Sequence, residues 1–230
     1  MDWTNTLDLF FPRRCAVCDE LLSYGTRGIC KDCENRLPYV KEPRCFCCGR
    51  TLEDPEEEYC QECQENPHPF VRVFPLFQYI PPVSDAMAAM KYQGRAEYAG
   101  FYGTLLGERF KKDWMELRPD CLVPVPVHPN RKRKRGYNQA ELLAEAMSEV
   151  TGIPVRKKLL IRSADTKAQK KLSKEGRRGN LAAAFSCEEE APPCVVLVDD
   201  IFTTGATADA CTKSLLQAGA RRVYVAAVCC

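Results

Sequence analysis

Residues 195–207, VVLVDDIFTTGAT, decide the fold class of this chain of 230 residues. The segment starts with four apolar residues, three of them β-branched, which predict a buried strand. Two carboxylates follow at the carboxyl end of the strand, and a threonine and glycine loop leads into a helical stretch. In an open α/β sheet, loop amides and the positive end of a helix meet a bound anion at this place. The segment therefore predicts an α/β fold with a site for a phosphorylated sugar, such as ribose 5-phosphate.

The side chains of this segment suit both ends of such a ligand. Asp199 and Asp200 offer acceptors to sugar hydroxyls, and Gly205 lets the backbone come close to a phosphate. The threonine hydroxyls can donate to phosphate oxygens without adding charge. The alternative interpretation is a solvated strand end that binds nothing. The candidate binding residues are Asp199, Asp200, Thr203, Thr204, Gly205, Ala206 and Thr207.

The spacing of cysteines predicts metal sites near the amino terminus. Two CxxC turns are separated by 11 residues, and the same arrangement recurs 30 residues later. Each CxxC turn directs two thiolates to one point, and two turns complete the tetrahedron that zinc accepts. We expect two structural Zn²⁺ ions, and sequential pairing of the turns is the simplest arrangement, although a crossed pairing has the same composition. The predicted ligands are Cys15, Cys18, Cys30, Cys33, Cys45, Cys48, Cys60 and Cys63.

Disulfide bonds are the alternative use of these thiols. A reducing compartment disfavours them, and we expect this protein to be cytoplasmic. No apolar run approaches the roughly 20 residues that span a bilayer, and the first residues lack the pattern of a secretory signal. Residues 7–11, which are apolar except for Asp8, are expected to pack as a cap, with membrane contact as the alternative. The seven cysteines outside the two groups are expected to serve as small hydrophobic residues.

The charge of the chain is divided unevenly along its length. Residues 1–70 contain 8 Lys and Arg against 14 Asp and Glu, whereas the rest of the chain contains 25 against 17. The basic excess is concentrated between Arg131 and Arg178. Such a patch indicates a polyanionic ligand, which is either a small phosphate-rich molecule or a nucleic acid.

Strand and helix patterns alternate after the cysteine-rich part. A strand-like run at residues 71–80 contains Pro75 and is expected at a sheet edge. Helical spacing recurs at residues 138–150, and the last strand is expected at residues 222–228. This order predicts a mainly parallel sheet that helices cover on both faces. We expect a cysteine-rich module at residues 1–68 and an α/β domain at residues 69–230.

Three further motifs, taken with residues 195–207, resemble one protein family. They are KYQG at residues 91–94, VPVPVHPNRKRKRGYNQAELLA from Val123, and QKKLSKEGRRGNLAAAF from Gln169. VVLVDDIFTTGAT is similar to the phosphoribosyl diphosphate (PRPP) signature of type I phosphoribosyltransferases. Together with RGYNQ and the paired CxxC turns, it resembles the ComF (ComFC) competence proteins over nearly the whole chain. The resemblance implies a type I phosphoribosyltransferase-like, mainly parallel sheet flanked by helices, with an N-terminal double zinc-ribbon module.

The resemblance also implies roles for individual residues. Asp199 and Asp200 would bind the ribose hydroxyls, the loop at residues 203–207 would hold the 5-phosphate, and Mg²⁺ would accompany the diphosphate. Arg135 ends a basic stretch after the first parallel strand, where the pyrophosphate loop of this fold lies, and is the candidate for the diphosphate charge. Secondary candidates are Lys91, Arg177 and Arg178. The polar run at residues 163–179 either closes over the site or is a mobile loop.

Three functions stay open at this point. The first, which the resemblance supports, is natural competence: the protein would bind single-stranded DNA during DNA uptake and keep a PRPP-type pocket as a ligand or sensor site. The second is an active phosphoribosyltransferase that releases pyrophosphate from PRPP, although the chain contains no recognisable site for a nitrogenous acceptor. The third is a zinc-bearing adaptor for proteins of the uptake machinery, such as a helicase. Aromatic residues that offer stacking faces or pack in the core are Tyr92, Tyr98, Phe101, Tyr102 and Tyr137.

Overall fold

The computed structural model describes residues 13–23, 25, 26, 28–162 and 184–230. Its helices are α1 (Lys31–Glu34), α2 (Gln61–Glu65), α3 (Val83–Tyr92), α4 (Tyr98–Arg109), α5 (Lys111–Leu117), α6 (Pro129–Arg135), α7 (Gln139–Thr151) and α8 (Ala206–Gln217). Its strands are β1 (Arg72–Phe77), β2 (Cys121–Pro124), β3 (Leu160–Arg162), β4 (Phe185–Cys187), β5 (Cys194–Ile201) and β6 (Arg222–Cys229). The expected cap at residues 7–11 and the polar run at residues 163–179, with Arg177 and Arg178, lie outside the described residues.

A four-stranded parallel sheet forms the centre of the α/β domain. Its strand order is β1-β6-β5-β2, so the segment that begins at Val195 lies in the interior of the sheet. Asp199 is opposite Ala227 of β6 in this register. Residues 153–155 add one parallel bridge to this sheet, between Val155 and Leu122. The mainly parallel architecture predicted from the alternating pattern is therefore confirmed.

Both faces of the sheet are covered, which explains the uninterrupted apolar run at the start of β5. Val196 and Val198 face a core built with α3, α4, α5 and α7. Val195 and Leu197 face a second core built with α8, the antiparallel strands β3 and β4, and cysteines of the second group, residues 45–63. Within the described part of the chain, no helix is long and apolar enough to cross a bilayer.

The cysteine-rich module covers the free edge of β1. Within the sheet β1 pairs only with β6, as expected for a strand that contains Pro75. On its other side, the Val73 amide donates to the Cys47 carbonyl at 2.8 Å, and the Val40 amide donates to the Leu76 carbonyl at 3.0 Å. An uncovered edge strand would offer unpaired backbone groups to other chains. The module therefore completes the α/β domain as well as carrying its own cysteine sites.

The basic segment before RGYNQ is a helix, where a loop was expected. His128 caps α6, because its Nδ1 accepts a hydrogen bond from the Asn130 amide at 3.1 Å. Pro129 stands at the first helical position, where its missing N–H costs nothing. Gly136 ends the helix in the left-handed conformation, with φ at 85°. These capping residues fix a short helix whose Lys and Arg side chains are mostly exposed.

Candidate functional site

Asp199 and Asp200 point to opposite faces at the end of β5, because adjacent side chains alternate along a strand. Asp199 lines a cavity of ≈ 50 Å³ together with the loop that follows. Asp200 is only 8% exposed, and its Oδ2 lies 2.9 Å from Lys91 Nζ without forming a hydrogen bond. The structure thus brings Lys91, a secondary candidate, to the carboxylates. It places Asp200 beside the cavity and not among the residues that line it.

The loop after β5 and the first turn of α8 form the rest of the cavity. All five candidate residues of this loop line it: Thr203, Thr204, Gly205, Ala206 and Thr207. Gly205 is the N-cap of α8, has φ at 77°, and provides no side-chain cap. The first amides of α8 are therefore free to meet an anion. Since one water takes about 30 Å³ in the liquid, the cavity suits a single small group, and a larger ligand would extend outward past Asp199.

The protonation of Asp199 depends on its surroundings. Burial, and then the neighbouring Asp200 carboxylate, raise the pKa of Asp199 to about 8, although the Asp200 amide and Lys91 oppose this rise. At neutral pH these surroundings therefore favour a neutral carboxyl group at Asp199. A ligand that donates hydroxyl groups, or that brings a cation, would favour the charged form.

Replacing Asp199 with asparagine is expected to change how stability depends on pH. The pKa is about 8 in the folded chain against 3.8 for an ordinary aspartate, so the folded state binds more protons between these values. The stability that protonated Asp199 contributes is present at low pH and is lost as pH rises through the folded pKa. Relative to Asp199→Asn, the wild type should lose roughly 4–5 kcal/mol of unfolding free energy between pH 4 and pH 8. Urea denaturation at both pH values measures this, and a pH-independent difference would contradict the raised pKa.

Arg135 lies beside an exposed aromatic ring and is not among the residues that line the Asp199 cavity. Its guanidinium carbon is 5.2 Å from the centre of the Tyr92 ring, and its Nη1 donates to Gln139 Oε1 at 3.1 Å. Tyr92 directly follows Lys91, the ion-pair partner of Asp200. The basic helix α6 is therefore connected to the carboxylate site through the end of α3.

Two residues that the sequence reasoning did not select hold the loop from the side of the cysteine-rich module. Arg50 donates from its guanidinium to the Thr203 carbonyl. His68 Nδ1 lies 2.8 Å from Asp209 Oδ1, and the His68 side chain is only 5% exposed. A Cβ atom on Gly205 would lie 2.7 Å from His68 Cε1. No local sequence pattern reveals these contacts, which join residues more than 140 positions apart.

The eight predicted ligands form two groups of four, and the pairing is sequential. One group contains Cys15, Cys18, Cys30 and Cys33, and the other contains Cys45, Cys48, Cys60 and Cys63. Sulfur atoms from the two turns of each group approach to 3.8 Å (Cys18 and Cys30) and 3.6 Å (Cys48 and Cys60). Tetrahedral zinc with Zn–S bonds of about 2.3 Å separates its sulfur ligands by about 3.8 Å. The geometry therefore fits two zinc ions and excludes the crossed pairing.

The electrostatics of each group suit a bound cation. In the second group burial works against ionisation, but the amides of Cys60, Cys48 and Cys47 lower the pKa of Cys45 to about 7. Burial, followed by the charge of neighbouring cysteines, raises the pKa of Cys63 well above its usual value. The first group has the same asymmetry between Cys15 and Cys33. Four thiolates are mutually repulsive at these distances, and a bound Zn²⁺ removes that repulsion.

Both parts of the chain are similar to known proteins. The double zinc ribbon domain family matches residues 6–64. Competence protein F of Haemophilus influenzae is 31% identical over 223 residues, which cover 94% of this chain and 96% of that protein. The DNA utilization protein YhgH of Salmonella typhimurium is 30% identical over 226 residues, which cover 96% of this chain and 98% of that protein. A solved structure of glutamine PRPP amidotransferase from B. subtilis is 22% identical, with a TM-score of 0.40, and covers 58% of this chain and 26% of that chain.

Proposed function

The chain belongs to the ComF family of competence proteins, and on that premise we propose that it binds single-stranded DNA on a basic surface beside a PRPP-type pocket. The basic surface consists of α6 (Pro129–Arg135) and the exposed ring of Tyr92. Among the possible activities of the family, we favour a binding role in DNA uptake, carried out in the cytoplasm. We also propose that the chain divides at residues 68 and 69 into the zinc module and the phosphoribosyltransferase-like domain.

The observation that carries the DNA proposal is the combination of an exposed aromatic ring with positive charge. Tyr92 is 74% exposed, whereas Tyr98 and Tyr102, two other stacking candidates, are buried in the core. The Arg135 guanidinium lies over the Tyr92 ring, and four more Lys and Arg residues of α6 are exposed, of which Lys132 also pairs with Glu141. Proteins bind single strands by stacking bases on aromatic rings and by contacting phosphates with basic side chains. Tyr92 and α6 supply both kinds of contact.

The PRPP part of the proposal rests on the arrangement at the end of β5. The free amides of α8 and the threonine hydroxyls at residues 203–207 would hold the 5-phosphate. Asp199 lies at the cavity wall, where ribose hydroxyls would follow. Lys91 and Arg135 would add positive charge toward a diphosphate, and Mg²⁺ would supply further charge neutralisation there. Asp200, on the opposite face, would contact the ribose only where the ligand extends over the end of β5 toward Lys91.

Replacing Tyr92 with alanine is expected to weaken binding of a single-stranded oligonucleotide by about tenfold, because one stacked base contributes about 1–3 kcal/mol. Stability should be unchanged, since the ring is exposed. Tyr59→Ala is the matched control, because Tyr59 is also exposed but lies on the acidic zinc module. Fluorescence anisotropy at constant salt measures both affinities.

The salt dependence of binding checks the role of α6. Lys134→Gln should lower the slope of log affinity against log salt by about 0.7, as expected for one lost phosphate contact on a single strand. An affinity that does not change with salt concentration would contradict the proposed DNA surface. Equal affinities of Tyr92→Ala, Tyr59→Ala and the wild type would also contradict it.

A further inference from the structure

A second cavity lies between the cysteine-rich module and the edge of the sheet. Its volume is ≈ 200 Å³, and it shares no lining residue with the Asp199 cavity. Three arginines from three elements line it: Arg44 from the second CxxC pair, Arg72 from the start of β1, and Arg109 from the end of α4. Two carboxylates, Glu42 and Asp113, also line it. This arrangement places an excess of positive charge in a concave site.

Some arginine donors at this cavity lack a partner among the residues that the structure describes. Arg72 Nε is buried and makes no hydrogen bond with these residues, and the Arg72 guanidinium lies 5.2 Å from the centre of the Phe74 ring. The Arg109 guanidinium lies 5.8 Å from the centre of the Tyr39 ring. An aromatic face orients a guanidinium and leaves its N–H groups free. Buried donors without partners are rare in proteins and indicate a group that the protein itself does not supply.

Arg44 also has a donor that makes no hydrogen bond, although the Glu42 carboxylate lies beside it. Its Nε lies 2.9 Å from Glu42 Oε1 but makes no hydrogen bond. The Glu42 side chain is 73% exposed, so solvent screens its charge. Neither Arg72 nor Arg109 forms an ion pair with any residue that the structure describes. The positive charge of the cavity therefore exceeds the charge of the carboxylates around it.

We propose that this cavity binds a phosphate group, as free phosphate or as the terminal phosphate of a nucleotide. Planar guanidinium groups match the oxygens of phosphate in pairs, which favours this ion over chloride, and three arginines around one cavity suit an ion with more than one negative charge. Asp113 selects among oxyanions. Inorganic phosphate carries a P–OH group at neutral pH that can donate to a carboxylate, and a phosphate monoester carries one in its monoanionic form, below a second pKa of about 6. Sulfate and the DNA backbone carry none. The site thus prefers a phosphate end to a phosphodiester.

Trp114 provides a built-in reporter for this cavity. Its ring centre is 4.7 Å from that of Phe74 and 6.1 Å from that of Phe110, and both phenylalanines line the cavity. The only other tryptophan is Trp3, so Trp3→Phe leaves Trp114 as the single tryptophan. In that background, titration with inorganic phosphate should give a saturable change in fluorescence. Sulfate at the same ionic strength should give a much weaker one.

Arg109→Gln tests the assignment without affecting folding, because Arg109 is exposed. It should weaken phosphate binding about tenfold, as expected for the loss of one charge-assisted contact. The exposed Arg221→Gln is the matched control and should have no effect. Thr204→Val, which alters the other cavity, should leave the Trp114 signal intact, so failure of the PRPP proposal is distinguished from failure of this one.

Two results would overturn the proposal: no saturable response of Trp114 to phosphate, or equal affinity in Arg109→Gln and Arg221→Gln. A response to sulfate as strong as that to phosphate would also overturn the role of Asp113. A parallel titration with a deoxynucleoside 5′-monophosphate distinguishes free phosphate from the terminal phosphate of a nucleotide. Tighter binding of the nucleotide supports a terminal phosphate as the ligand, and tighter binding of inorganic phosphate supports the free ion.

Discussion

Replacing Cys48 with serine is expected to reduce bound zinc from two ions to one per chain and to destabilise the whole protein. Cys48 is 2% exposed, and its group packs into the same core as β5 and α8. Loss of this site should release the module from the edge of β1 and free the Thr203 carbonyl from Arg50. Structural zinc contributes strongly to folding, so we expect a loss of roughly 3–5 kcal/mol and a Tm about 10 °C lower. Elemental analysis and thermal unfolding measure the two effects.

Cys47→Ser is the matched control for this prediction. Cys47 lies between two ligands but belongs to neither group of four. The bond that it makes to β1 uses its carbonyl group, which serine also has. This variant should keep two zinc ions and nearly the wild-type Tm. Two zinc ions in Cys48→Ser, or an equal loss of zinc in Cys47→Ser, would contradict the assignment of ligands.

Replacing Gly205 with alanine is expected to damage both stability and the phosphate loop. The φ angle of 77° is unfavourable for a residue with a Cβ atom, at a cost of about 1–2 kcal/mol. The added atom would also lie 2.7 Å from His68 Cε1. His68 has little freedom to move, because it stacks on Phe70 at 4.7 Å and contacts Asp209. We expect a total loss of about 2–4 kcal/mol and about tenfold weaker PRPP binding.

Gly152→Ala is the control that separates the cost of a positive φ angle from the cost of the contact with His68. Gly152 has φ at 73°, but a Cβ atom there would meet nothing within 4 Å. This variant should therefore lose only about 1–2 kcal/mol of unfolding free energy, which is the cost of the backbone conformation. It should bind PRPP like the wild type. Urea denaturation and calorimetric titration of both variants test the difference. Identical behaviour of the two variants would show that His68 does not support the loop.

The parts of the fold that local patterns encode were predicted from the sequence. The apolar run at residues 195–198 is a buried central strand, because helices cover both of its faces. Pro75 lies at an edge, since it has no N–H for a second neighbour strand. The repeated CxxC spacing identified two sets of four cysteines, and the structure resolved their pairing as sequential.

The contacts that join the two parts of the chain were not predicted. The roles of Arg50 and His68 depend on residues 153 and 141 positions away, and sequence spacing contains no information about such pairs. The helical state of α6 was also missed, because its capping by His128 is uncommon. The roles of Asp199 and Asp200 in ligand binding stay predictions, and their separation onto two faces follows from the alternation of side chains along a strand.

Calorimetric titration of PRPP with Mg²⁺ tests the central claim most directly. The wild type should bind one PRPP per chain, and Asp199→Asn combined with Asp200→Asn should bind at least about tenfold more weakly, because the acceptors for the ribose hydroxyls are lost. Asp85→Asn, at an exposed position of α3, is the control and should match the wild type. Equal affinity of the wild type and the double variant, or no binding by either, would contradict a PRPP-type pocket at the end of β5.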